Sequence, residues 1–180
     1  MSTTKLFFAG SGGQGVILMG QMVTYAAMYE GLSTTYYPSY GPEMRGGTAN
    51  CTVIVSDREV ASPIVFEADC VVAMNLPSLI KFESLVKPGG TLLINSSIID
   101  RKAERDDITV LYVPVTELAA EVGNPRGANM VMLGAAVRAT NVVKQETIEK
   151  VMREKAFTGK KAVTIPANIA AFEYYKAENV

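Results

Sequence analysis

The sequence predicts an α/β protein, a three-layer α/β/α domain with a mixed, mostly parallel sheet and a Rossmann-like first β-α-β unit, with residues 1–180 forming a single domain. Three observations carry this. A short apolar β-type run leads straight into a glycine cluster and then a helical apolar pattern, and strand-like and helix-like runs keep alternating further on. Hydrophobic residues make up 48% and charged residues 19%, enough for a filled core and too apolar for disorder. At 180 residues, with no repeat, low-complexity tract or linker, the chain holds one core.

Lys5 to Ala9 reads as the first strand. After the glycines, Val16, Ile17, Met19, Met22, Val23 and Ala26 read as a buried helix that Gly31 stops. Leu32 to Tyr37 is the second strand, ended by Pro38, and a β-α-β unit of this kind implies parallel pairing with a right-handed crossover. In Thr48 to Ser56, Ala49, Cys51, Val53 and Val55 share a face, and Thr48, Asn50 and Thr52 take the other. A turn at Asp57 and Arg58 into a short strand, Glu59 to Ser62, would make a hairpin and so a mixed sheet. Cys70 to Met74 is a buried strand, Pro77 to Val86 a helix, Lys87 to Gly90 a turn, and Thr91 to Asn95 and Ile108 to Val113 two further strands. The rest is helical: Val115 to Val122, Ala128 to Thr140, Gln145 to Ala156, and a tail from Pro166 to Lys176 whose start Pro166 blurs.

The inventory excludes whole classes of chemistry. There is no histidine, so no Ser-His-Asp triad, Cys-His pair or imidazole metal ligand. Cys51 and Cys70 fall short of the four thiolates of an iron-sulfur cluster and fit no zinc spacing. Both are expected to be reduced core residues in a cytoplasmic protein. With 17 basic and 18 acidic residues, no overall field favours nucleic acid or an anionic membrane. The uncharged stretch between Lys5 and Glu30 is broken by glycines and reads as neither signal peptide nor membrane span.

Two loops stand out. Gly10, Gly12 and Gly15 match G-x-G-x-x-G between a strand and a helix, where close backbone approach and free N–H groups suit a phosphate; Gly13 and Gln14 complete the loop. The dinucleotide form of this motif also wants an acidic residue about twenty positions on, yet the second strand ends Tyr36, Tyr37, Pro38, Ser39. The same glycines serve equally well for a tight turn and close strand–helix packing, and the sequence leaves both uses open. In Tyr40 to Gly47, Glu43 and Arg45 either pair with each other or, through the Arg45 fork, meet a phosphate, a carboxylate or a partner. If the first two strands are parallel neighbours, both loops lie at the sheet edge where open α/β sheets bind ligands. Met130 and Met132 read as core, Lys160 and Lys161 as a solvated helix end, and Asn129 as a helical amide in need of a partner such as a loop.

Taken together, Gly10-Ser-Gly-Gly-Gln-Gly15-Val16, Ser39-Tyr-Gly-Pro-Glu-Met-Arg-Gly-Gly47 and Asn129-Met-Val-Met-Leu-Gly134 resemble the gamma subunit of the 2-oxoacid:ferredoxin oxidoreductases over nearly the whole chain, most of all the 2-oxoglutarate enzymes, with the pyruvate and 2-oxoisovalerate enzymes next. The resemblance implies a complex that converts a 2-oxoacid, coenzyme A and oxidised ferredoxin to acyl-CoA, CO2 and reduced ferredoxin. It places thiamine diphosphate, Mg and the 4Fe-4S clusters on alpha, beta and ferredoxin-like delta subunits. This chain then has no catalytic residue of its own and assembles the complex, with Gly10 to Gly15 and Glu43 and Arg45 facing partners or accommodating coenzyme A. Two rivals are an autonomous nucleotide-binding module and the small subunit of an indolepyruvate oxidoreductase, which shares the glycine and Tyr-Gly-Pro-Glu-Met-Arg patterns.

Overall fold

The computed structural model describes residues 3–41 and 47–175. Its elements run β1 (Thr4–Ser11), α1 (Val16–Tyr29), β2 (Ser33–Tyr40), β3 (Thr48–Ser56), β4 (Ala68–Ala73), α2 (Leu76–Phe82), β5 (Val86–Asn95), β6 (Thr109–Val113), α3 (Val115–Glu121), α4 (Ala128–Thr140), α5 (Gln145–Val151) and α6 (Ile165–Tyr174). The six strands form one sheet in the order β2-β3-β1-β4-β5-β6. Three of the five pairings are parallel, β1–β4, β4–β5 and β5–β6, and two are antiparallel, β1–β3 and β2–β3. The sheet is mixed and mostly parallel, as expected.

The first unit differs from the expected one. β1 and β2 point the same way without pairing, because β3 lies between them and is antiparallel to both. The connection from β2 to β3 is short, and a short connection makes antiparallel neighbours; the Gly41 N–H donates to the Thr48 carbonyl (2.7 Å) and closes the hairpin. That bond fixes the alternation along β2 and turns the nitrogen of Pro38 to the open edge. There its missing N–H costs no ladder bond, so β2 runs past Pro38 to Tyr40. The predicted strand Glu59 to Ser62 is absent. Residues 57–67 instead form an irregular strap that folds back over Ile54 and Ser56, held at its start by Arg58 N–H to Ser56 Oγ (3.1 Å).

Smaller corrections follow local chemistry. Asn75 caps α2, its Oδ1 accepting from Ser78 N–H (3.0 Å), and Pro77 sits in the first turn. The helix tightens to a 3₁₀ turn at Glu83–Leu85, and Val86 already belongs to β5, so Lys87 to Gly90 is an irregular start of that strand rather than a turn. α5 passes into a π turn at Met152–Ala156, and a 3₁₀ turn at Gly159–Thr164 leads into α6, whose first turn takes Pro166.

The two faces of the sheet are unequally filled. The face under α1, α3, α4, α5 and α6 buries a cluster of 36 hydrophobic residues, among them Leu6, Phe8, Met19, Cys51, Cys70, Met130, Met132, Leu133 and Phe172. The other face, under α2 and the straps, buries 10, including Phe7, Val71, Leu79, Leu92 and Ile94. Residues 99–108 are tied down there by Glu83, whose carboxylate accepts the Glu104 and Arg105 N–H groups (2.6 and 3.1 Å), and by Tyr112 Oη, which accepts from Ala103 N–H (3.0 Å).

Candidate functional site

At the carboxyl ends of the parallel strands the sequence-predicted loops meet. Gly10 and Ser11 end β1, and the turn that follows is built by Gln14. Its Oε1 accepts from Ser11 N–H (2.8 Å) and Ser11 Oγ (3.1 Å), and its Nε2 donates to the Met74 carbonyl (3.0 Å) at the end of β4. Asn95, nearly fully buried at the end of β5, donates to the same carbonyl (3.2 Å). Two amides converging on one carbonyl therefore set the relative positions of three strand ends. Gly12 N–H donates to the Gly47 carbonyl (2.9 Å), so the glycine loop is clasped to the start of β3. The described ends of the second loop, Gly41 and Gly47, therefore lie beside the glycine loop, although the parallel pairing that suggested this is not there. Glu43 and Arg45 lie outside the described residues.

Gly13 and Gly15 both have positive φ (96° and 73°). Gly15 is also the N-cap of α1, and a Cβ on it would stand 2.3 Å from Asn129 Nδ2. Asn129 is thus not a buried helical amide. It sits half-exposed in the first turn of α4, against the glycine loop. The amino ends of α1 and α4, of 14 and 13 residues, consequently meet. Each starts from a glycine, Gly15 and Gly127, with no side-chain cap and no acidic residue in its first turn. Arg126, exposed, precedes the second. Ser11, Gly12 and Gln14 have spent their amides inside the loop, whereas those of Gly13, Gly15, Val16 and Ile17 find no acceptor among the described residues. Two helix ends, four amides and an amide side chain make this corner electropositive and suited to a phosphate or carboxylate.

The thiols do not join it. Cys51 on β3 and Cys70 on β4 are buried on strands separated by β1, and burial pushes both up to about 12. This donor set does not fit an iron-sulfur cluster. Among the described residues no group of His, Cys, Asp and Glu is arranged to hold a metal, and no helix is long and apolar enough to cross a membrane. Met130 and Met132 are core, and Lys160 and Lys161 are exposed. Reading along the sequence misses the Gln14–Met74–Asn95 junction and the approach of Asn129 to Gly15. The one local signal was the odd amide at Asn129.

Comparison with known proteins decides the family. Residues 5–175 match the family described as pyruvate ferredoxin/flavodoxin oxidoreductase. The chain belongs to this family. Its relatives include the 2-oxoglutarate synthase subunit KorC of Methanothermobacter marburgensis, 38% identical over 176 residues that cover 94% of this chain and 92% of that one. The ketoisovalerate oxidoreductase subunit VorA of the same organism is 43% identical over 130 residues, 72% of this chain; the match spans only 27% of that longer relative. Among solved structures, the keto/oxoacid ferredoxin oxidoreductase gamma subunit of Geobacter sulfurreducens superposes with a TM-score of 0.80 at 31% identity, covering 95% of both chains.

Proposed function

We propose that this chain is the gamma-type subunit of a 2-oxoacid:ferredoxin oxidoreductase, of the class that converts 2-oxoglutarate and coenzyme A to succinyl-CoA and CO2 with reduction of ferredoxin. The observation that carries the reading is the end-to-end match to a KorC subunit, 94% of this chain against 92% of that one. The absence of histidine and the burial of both thiols support a division of labour. Thiamine diphosphate, Mg and the 4Fe-4S clusters belong to alpha, beta and delta partners, which supply decarboxylation and electron transfer. Two unpaired thiols and a chain of balanced charge suit a reducing cytoplasm.

In this reading the electropositive corner at the amino ends of α1 and α4 receives an anionic group of coenzyme A or a carboxylate of a partner. Gln14 and Asn95 hold the strand ends in register for it.

The test is affinity purification of the chain from its native cell. Recovery with thiamine- and cluster-bearing subunits, and loss of 2-oxoglutarate-dependent ferredoxin reduction on deleting the gene, are expected. Recovery without such partners, with 2-oxoacid oxidation intact in the deletion strain, overturns the proposal.

A further inference from the structure

We infer that the cavity between the first residues of the β5–β6 ladder and the second half of α4 binds a small carboxylate with an apolar body. Strand alternation shapes its floor. Leu93 and Leu111 enter the core under the helices, so Thr91 and Thr109, each two residues earlier and paired with one another, turn to the same face. Over them α4 presents Ala135 and Ala139, whose single methyl groups leave a cavity of about 320 Å³. It lies at the other end of β5 from Asn95 and the glycine loop.

The charge in it belongs to Arg138, half-buried in the cavity wall. Its guanidinium is fixed on the end of α6, Nη1 donating to the Phe172 carbonyl (2.8 Å) and Nη2 to that of Glu173 (3.1 Å), with the Phe172 ring beside it. Gly134 makes the room, since a Cβ there would stand 2.0 Å from the Phe172 carbonyl and 2.7 Å from Arg138 Nη1. The two carbonyls leave the remaining N–H groups of the fork without an acceptor among the described residues. Nor is there a counter-charge: no described carboxylate forms an ion pair with Arg138, and the Glu173 side chain turns to a different cavity, with Glu146 and Glu149. Burial works against the charge and holds the guanidinium below its ordinary value. Tyr175, only 4% exposed, also lines the cavity, and its hydroxyl and those of Thr91 and Thr109 find no partner among the described residues. A fixed fork, three idle hydroxyls and an apolar lining of Leu111, Ala135 and Ala139 match a ligand with one negative charge at one end and hydrocarbon at the other. A single guanidinium balances a carboxylate and leaves a phosphate dianion half unpaired. At the volume of a water, about 30 Å³, the space takes roughly ten non-hydrogen atoms.

The experiment titrates the full ¹⁵N-labelled chain with hexanoate and follows the backbone amide resonances, with hexanamide and inorganic phosphate as controls. Saturable shifts centred on Thr91, Thr109 and Ala139 are expected with hexanoate, and at least tenfold weaker binding of both controls. Arg138→Gln is expected to weaken hexanoate at least tenfold, the loss of hydrogen bonds to a charged group, and Tyr175→Phe and Thr91→Val at least threefold each. Arg138 also closes α6, so its variant is compared only if it melts within a few degrees of the wild type; the two hydroxyl variants keep the shape of the cavity and decide the matter if it does not. Absence of saturable shifts at the cavity overturns the inference, as does equal or tighter binding of hexanamide or phosphate, or undiminished hexanoate affinity in the folded hydroxyl variants. Binding that appears only in Glu178→Gln also overturns it, because it gives the cavity to a carboxylate of the chain's own residues after Tyr175.

Discussion

Gly15 carries two constraints at once, a left-handed backbone and the amide of Asn129 where a Cβ would be. Gly13 carries only the first, since nothing lies within 4 Å of its position for a Cβ. Gly13→Ala is therefore expected to cost about 1–2 kcal/mol, the usual penalty for left-handed backbone, and Gly15→Ala more, because Asn129 must also be displaced. Denaturant unfolding of both variants checks the order, and in the assembled enzyme Gly15→Ala is expected to raise KM for coenzyme A. The two thiols make a separate prediction. With both held up to about 12 inside the sheet, they are expected to stay unlabelled by a maleimide at pH 7 until the chain is unfolded. The glycine pattern was legible in the sequence and so was the apolar setting of the cysteines. The partner of Gly15 was not, because it lies 114 positions away and only tertiary packing brings it there.

Among the elements, α3 shows how a helix without its own cap borrows one. Its N-cap is Pro114, and Ser97 from the loop after β5 accepts from Thr116 N–H (2.9 Å) while its hydroxyl donates to Glu117. That hydrogen bond holds the Glu117 carboxyl below its ordinary range. A lowered native pKa gives stability that is present above the unfolded-state value and is lost as pH falls through the native one. Wild type is therefore expected to melt above Glu117→Gln at neutral pH, the gap closing in acid; a gap independent of pH contradicts the assignment. In β2, Pro38 leaves one donor missing on an uncharged open edge, and Pro38→Thr, which restores it, is expected to promote self-association on concentration, read by light scattering. Strand and helix positions follow from local patterning, and Ala128 to Thr140 was predicted to the residue. Strand order does not, since β3 inserts between β1 and β2 by pairings that no local pattern encodes. Pro88, Gly89 and Gly90 looked like a turn because turn residues also make irregular strand starts: Gly89, at φ 73°, donates to the Asp107 carbonyl (2.9 Å) without leaving the sheet.

At the scale of the molecule, the two clusters of 36 and 10 buried residues predict uneven resistance to local opening. Native-state hydrogen exchange is expected to show α4 opening only with the whole protein and α2 with residues 57–67 opening at lower free energy. Equal protection in both layers would show that the thin layer is fully cooperative with the rest. The silence of Cys51 and Cys70 has a use here. A chain whose own thiols are out of reach of reagents is already a blank background, so one cysteine introduced on the 57–67 strap would carry a fluorophore alone, and its emission would report the moment that strap lifts from the sheet.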